Sequence, residues 1–234
     1  ITGYLEGIQE MSRAGYNDKG QAEAMASLSI LAQSAGAVTA EVANQFLIAT
    51  DASYQFKGNI NELTKVLDGA NGITNKYAVN LTDIASGMSI AGASASQFNV
   101  QVDELAAAIG TMNAVTQLGG ETSARAFRYL MGVLSKTTGD YDGEIVDTES
   151  LSKAEKALGA IGVKMAEVRD GVTHLRNPMQ ILKEVATALQ GLESTDARKA
   201  DVLNALGGTN RQASVAALLN NFTMYEQMLS TYAS

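Results

Sequence analysis

The sequence predicts an all-α, multi-helix protein of about eleven short-to-medium helices, with one small β-hairpin near residues 163-175. Three observations predict it. A single proline interrupts 234 residues, so helices run almost unbroken. Apolar residues recur at three- and four-residue spacing, as one buried helix face requires. Asn, Asp, Ser and Thr stand where these runs begin, and Gly where they end.

The first helix fits Thr2 to Ala14, stopped by Gly15 and the Asn17-Asp18 turn. The second runs from about Lys19 to Ala35, with Met25, Leu28, Leu31, Ala32 and Ala35 expected inward and Gly36 as its stop. The third covers about Thr39 to Phe56, with Val42, Phe46, Ala49 and Ser53 on its inner stripe and Gly58 as its C-cap. The fourth has the clearest pattern. Asn59 caps it, Glu62 completes a capping-box spacing, and Ile60, Leu63, Val66, Leu67, Ala70 and Ile73 share one face. Gly69 and Gly72 cost helix propensity there, which close packing would repay.

A fifth helix follows Asn80, carries Leu81, Ile84, Ala85, Met88 and Ala91 inward, and fades over Gly92 to Gln97. The sixth spans Val102 to about Leu118, with Leu105, Ile109 and Met112 inward, and ends at Gly119-Gly120. The seventh covers Glu121 to Lys136, its stripe being Phe127, Leu130, Met131 and Leu134. Helix resumes near Leu151 behind the capping box of Ser152 and Glu155, and stops within Gly159 to Gly162. Val163, Met165, Val172 and Leu175 flank Arg169-Asp170-Gly171, a hairpin signal and the sole strand pair expected. Asn177 then caps a helix with Pro178 at its first position, facing Met179, Leu182, Val185 and Leu189 inward. Another runs from Thr195 to Leu206 before Gly207-Gly208. Thr209 with Gln212 opens the next, through Leu219, and Asn220 or Asn221 starts the last. This order divides the chain into an N-terminal helical region (1-138), an acidic exposed loop (139-150) and a C-terminal helical region with the hairpin (151-234).

Composition excludes several chemistries. Without cysteine there is no disulfide, thiolate metal site or cysteine nucleophile. One histidine excludes a two-histidine metal centre within the chain. A net charge of −8 argues against nucleic-acid binding and a polybasic membrane anchor. Apolar runs such as Val215 to Leu219 fall far short of the roughly 18 residues of a membrane span.

No catalytic, cofactor-binding or metal-ligating residue is therefore assigned, and the chain reads as a non-enzyme with no cofactor. His174 lies on the hairpin with no nucleophile motif to serve, so it reads as structural or surface. Asp140, Asp142, Glu144 and Asp147 alternate like calcium ligands. Counted from Asp140, however, position six is Ile145 and position twelve is Leu151, where an EF-hand needs glycine and glutamate. Gly119-Gly120 lacks a P-loop lysine and is followed by Glu121, which would repel phosphate. Asp103 and Glu104 are adjacent on a helix and point about 100° apart, so they cannot share a substrate. Arg125 and Arg128 are the closest basic pair on one face, too little for a nucleic-acid surface. The nine methionines sit in apolar stripes and read as core filler.

Two blocks carry a family resemblance. Residues 81–134 read Leu-Thr-Asp-Ile-Ala-Ser-Gly-Met, then Val-Asp-Glu-Leu-Ala-Ala-Ala-Ile-Gly, then Gly-Gly-Glu-Thr-Ser-Ala-Arg-Ala-Phe-Arg-Tyr-Leu-Met. Residues 154–219 carry Lys156-Ala-Leu-Gly-Ala-Ile-Gly-Val, the Arg169-Asp-Gly turn, Pro178-Met-Gln-Ile-Leu-Lys-Glu-Val, Asp201-Val-Leu-Asn-Ala-Leu-Gly-Gly and Arg211-Gln-Ala-Ser-Val-Ala-Ala-Leu-Leu. In order and spacing this resembles the core region of phage tail tape measure proteins, over about 200 of the 234 residues. Phe127-Arg128 departs from the usual Leu-Arg, and the acidic stretch 139–150 from the usual short polar link.

The resemblance implies a structural protein that sets tail length and occupies the tail tube during assembly. It implies a homo-oligomer, with the tail tube protein, tail assembly chaperones and tail tip proteins as partners. It places the chain in the virion, in the phage tail lumen, and in the bacterial host cytoplasm during assembly. A fully helical chain of this length would measure roughly 350 Å. The many capped breaks argue for a folded domain instead, and the start at Ile1 and the unfinished last helix read as a portion of a longer chain. The alternative is a helical binding or adaptor module of a prophage-derived or secretion-related assembly, without ruler function.

Overall fold

The computed structural model describes residues 2–137, 141–142, 145–146 and 151–234. Seven helices precede the first strands: α1 (Thr2–Arg13), α2 (Lys19–Gly36), α3 (Ala40–Tyr54), α4 (Ile60–Lys76), α5 (Leu81–Gln97), α6 (Val102–Thr116) and α7 (Gly120–Leu134). Strands β1 (Tyr141–Asp142) and β2 (Ile145–Val146) pair, α8 (Lys153–Gly159) follows, and β3 (Ala166–Arg169) pairs with β4 (Val172–Leu175). The chain closes with α9 (Pro178–Gln190), α10 (Ala197–Gly207), α11 (Gln212–Asn220) and α12 (Phe222–Tyr232). The fold is all-α, with twelve helices among the described residues, in keeping with the about eleven expected.

Local capping chemistry sets most helix starts. Asn80 Oδ1 accepts from the N–H of Asp83 at 2.9 Å, and Asp83 Oδ2 accepts from the N–H of Asn80 at 3.0 Å. Ser152 and Glu155 form the same reciprocal pair. Asn177 accepts from Met179 and Gln180 ahead of α9, with Pro178 in the first turn. Asn59 caps α4, but Glu62 does not close a box, because its carboxylate is taken by Lys65 at 2.9 Å. Asp196, one residue after the expected Thr195, caps α10. Thr209 does not open α11; Arg211 stands at that N-cap, without a side-chain cap.

Several boundaries follow tertiary contacts instead. α5 does not fade at Gly92; it runs to Gln97, with Ala91 and Ala95 fully buried. The small residues there admit α3: a Cβ on Gly92 would lie 2.6 Å from Ser53 Oγ. α3 is closed by Gln55 in the left-handed region, φ 54°, not by Gly58. Gly58 instead donates its N–H to the buried Asp51 carboxylate at 3.0 Å. On α2, Leu31 is 49% exposed and Ala35 is exposed, against expectation. The inner face turns toward Ser29, whose hydroxyl donates to Asn44 Oδ1 at 2.5 Å, while Asn44 donates to Glu10.

The core is continuous from Met11 to Met228. α6 lies at its centre against α4, α5, α7, α11 and α12, and every residue from Leu105 to Asn113 is buried. The sequence placed only Leu105, Ile109 and Met112 inward; the full run is that of a helix covered on all sides. Gly69 on α4 gives α12 room, since a Cβ there would lie 2.6 Å from the Tyr232 ring.

The expected acidic exposed loop at 139-150 lies largely outside the described residues. Within it, Tyr141 pairs with Val146 and Asp142 with Ile145, a second short ladder beside the single expected one. In the expected hairpin, Arg169 opposes Val172 and Glu167 opposes His174. Asp170 and Gly171 both take positive φ, 51° and 73°, as a tight two-residue turn between right-twisted strands requires. Val163 and Met165 do not join the ladder but are buried just before it.

Candidate functional site

The residues singled out by sequence do not converge on one centre. His174 sits in the middle of β4, whose four residues are all exposed. No described hydrogen bond ties it to a nucleophile or a carboxylate, so it has no catalytic partner among the described residues. The side chains of Asp140, Asp142, Glu144 and Asp147 lie outside the described residues. Eight of the nine methionines are buried in the core, the role the sequence assigns them.

Gly119-Gly120 does not stop α6, which Gln117 closes in the left-handed region, φ 54°; the pair opens α7 instead. Gly119, φ 91°, is the N-cap of α7, and Gly120 donates its N–H to Asp83 Oδ1 at 2.9 Å. A helix N-terminus attracts an anion, and here the anion is the protein's own carboxylate. Asp83 therefore caps its own helix and the start of a second one 37 residues away. The Asn-x-x-Asp spacing was visible in the sequence; the second partner had no local signal.

A comparable bridge joins the α1–α2 connection, α3 and the α3–α4 turn. Tyr16 donates its hydroxyl to Asp51 Oδ2 at 2.5 Å, beside the Gly58 N–H. Burial first, then this carboxylate, holds the Tyr16 phenol protonated well above its ordinary range. Of the basic pair, Arg125 is engaged by Glu121. Arg211 stacks on Tyr129, 4.4 Å from its ring centroid, and so joins α11 to α7. These groups are structural ties.

The exposed surface is where function can act. The hairpin presents Val172, 55% exposed, and Leu175, 43% exposed. Its base is fixed by Arg176, which donates to Glu184 on α9 with both terminal nitrogens and to the Lys164 carbonyl at 2.9 Å. This side-chain hydrogen bond holds the Glu184 carboxyl below its ordinary value. Leu5 on α1, Ile30 and Leu31 on α2, Val115 on α6 and Leu118 just after it are the other exposed aliphatic side chains of size among the described residues.

A family model described as phage-related minor tail protein matches residues 2–208. The chain belongs to that family. Its role is accordingly structural, in a phage tail, with other tail proteins as its neighbours. No solved structure matches the chain. Membership in a minor tail protein family points away from catalysis, in line with the scattered placement of the titratable groups. No described helix of this tail protein is long and apolar enough to cross a membrane.

Proposed function

We propose that the chain is a folded segment of a tape measure protein, which sets tail length and occupies the tail tube during assembly. The supporting observation is the ordered agreement of residues 81–134 and 154–219 with the core of that family, inside a chain of the minor tail protein family. In this reading the segment associates with copies of itself. It also meets the tail tube protein, the tail assembly chaperones and the tail tip proteins, first in the host cytoplasm and then in the tail lumen.

The geometry defines how such a segment would work. The longest helix, α2, has 18 residues and spans about 27 Å. The helices pack on one shared core, so in this reading the segment enters the tube as a folded body and not as a rod. Deleting it from the intact protein, in a phage that carries that protein, is expected to change tail length measured by electron microscopy. Tails of unchanged length would remove the ruler role from this segment. The exposed apolar side chains of the hairpin favour a second reading, a helical binding or adaptor module without ruler function. Under that reading the deletion breaks attachment to a partner while tail length stays constant.

A further inference from the structure

A cleft of about 530 Å³ opens where the end of α3, the α5–α6 connection and the end of α12 meet. Its wall includes Tyr54, Phe56, Val66, Val102, Asp103 and Tyr232. Three of these are aromatic, and Tyr54 and Phe56 stack with ring centroids 6.1 Å apart.

Two features of the cleft bear on what it could hold. The hydroxyl oxygens of Tyr54 and Tyr232 are buried and have no hydrogen-bond partner; among the described residues only Asn71 Oδ1 shares that condition. Leaving such a group unpaired costs about 1–3 kcal/mol. The charge is also unbalanced. Asp103 accepts only from the N–H of Glu104, at 2.9 Å, and Glu104 turns back to the N–H of Gln101, at 2.8 Å. Neither carboxylate has an ion-pair partner among the described residues. Lys65, the cation on the cleft wall, is held by Glu62. Burial first, then Glu104 and Asp103 at Tyr54 and Asp103 at Tyr232, keeps both phenols protonated well above their ordinary range.

We propose that this cleft receives an arginine side chain of another polypeptide. A guanidinium matches the three features together. Its charge answers Asp103, its plane stacks on aromatic rings, and its five fixed N–H donors suit a carboxylate and phenol oxygens at once. A lysine ammonium answers the charge but has no plane to stack. The phenol oxygens are buried, so they can accept from a guest only if the Tyr232 ring turns toward it. Tyr232 is the last residue of α12, and helix ends are the parts most easily displaced. The inference is independent of whether the segment measures tail length.

The test is a two-dimensional NMR titration of the 234-residue chain with blocked arginine amide. Blocked citrulline amide, of the same shape without the charge, blocked lysine amide and spermidine serve as comparators. Saturable shifts centred on residues 54–56, 99–103 and 232 are expected with arginine, and weaker binding with all three comparators. Asp103→Asn is expected to weaken arginine roughly tenfold, the scale of one hydrogen bond to a charged group. Asp196→Asn, outside the cleft, is expected to leave it unchanged. Citrulline, lysine or spermidine binding as well as arginine would overturn the proposal. So would an absence of saturable shifts, or an Asp103→Asn variant that keeps its native spectrum and binds arginine normally.

Discussion

Asp196 and Arg198 close the start of α10 together. Asp196 accepts from the N–H of Arg198 at 3.0 Å and pairs with its guanidinium at 2.6 Å. The Arg198 side chain first, then the backbone N–H, lowers the Asp196 carboxyl from 3.8 to about 2. A carboxyl whose folded value is depressed stabilises above its unfolded value, and that stabilisation is lost as pH falls through the folded value. The cap of α10 is therefore complete above about pH 4 and lost toward pH 2. Carbon-13 NMR of the carboxyl is expected to show a midpoint near 2 in the native chain, rising toward the ordinary value in Arg198→Ala. An ordinary midpoint in the native chain would show that the cap does not form. Residues of this kind are legible in a sequence because their partners lie two or three positions away. Asn59, Asn80, Ser152 and Asn177 could all be read as caps for that reason. Tyr16 and Asp51, 35 residues apart, could not.

At the scale of elements, helix pairs are set by how closely their backbones approach. α7 carries a direct comparison. A Cβ on Gly120 would lie 2.3 Å from the Asp83 Cα, whereas a Cβ on Gly132 meets nothing within 4 Å. Gly120→Ala is expected to destabilise the chain by more than about 2 kcal/mol, since backbone on both sides must shift. Gly132→Ala is expected to stabilise it by up to about 1 kcal/mol through helix propensity. Urea denaturation followed by circular dichroism measures both. A harmless Gly120→Ala would mean that α5 and α7 do not meet as described. The sequence reads Gly120 as part of a helix stop and Gly132 as a helix residue; only the neighbouring helix shows that Gly120 opens α7 against the Asp83 backbone. The same limit explains Leu31. A periodic pattern locates an apolar stripe to within about one position, and on α2 Ser29, buried against Asn44, lies in the stripe while Leu31 lies outside it.

For the whole molecule, the decisive feature is the passage of the last helices into the first half of the chain. α11 packs on α6 and α7, and α12 on α4 and α6, so residues from both ends share one core. Thermal unfolding is expected to show one cooperative transition, coincident by far-ultraviolet circular dichroism and by tyrosine absorbance. Two separated transitions would instead mark regions 1-138 and 151-234 as independent units.

The sequence by itself determined the all-α class, most helix starts, the Asp170-Gly171 turn and the resemblance to a phage tail family. Each rests on neighbours within about four positions or on the order of such short patterns. Tertiary structure decided the complete burial of α6, the bridge from Asp83 to Gly120, and the meeting of Tyr54, Asp103 and Tyr232 at one cleft. Those depend on residues tens to well over a hundred positions apart, which come together only when helices pack. One proline and many small residues allow that packing, but the choice of partner is made by the fit of whole helix surfaces.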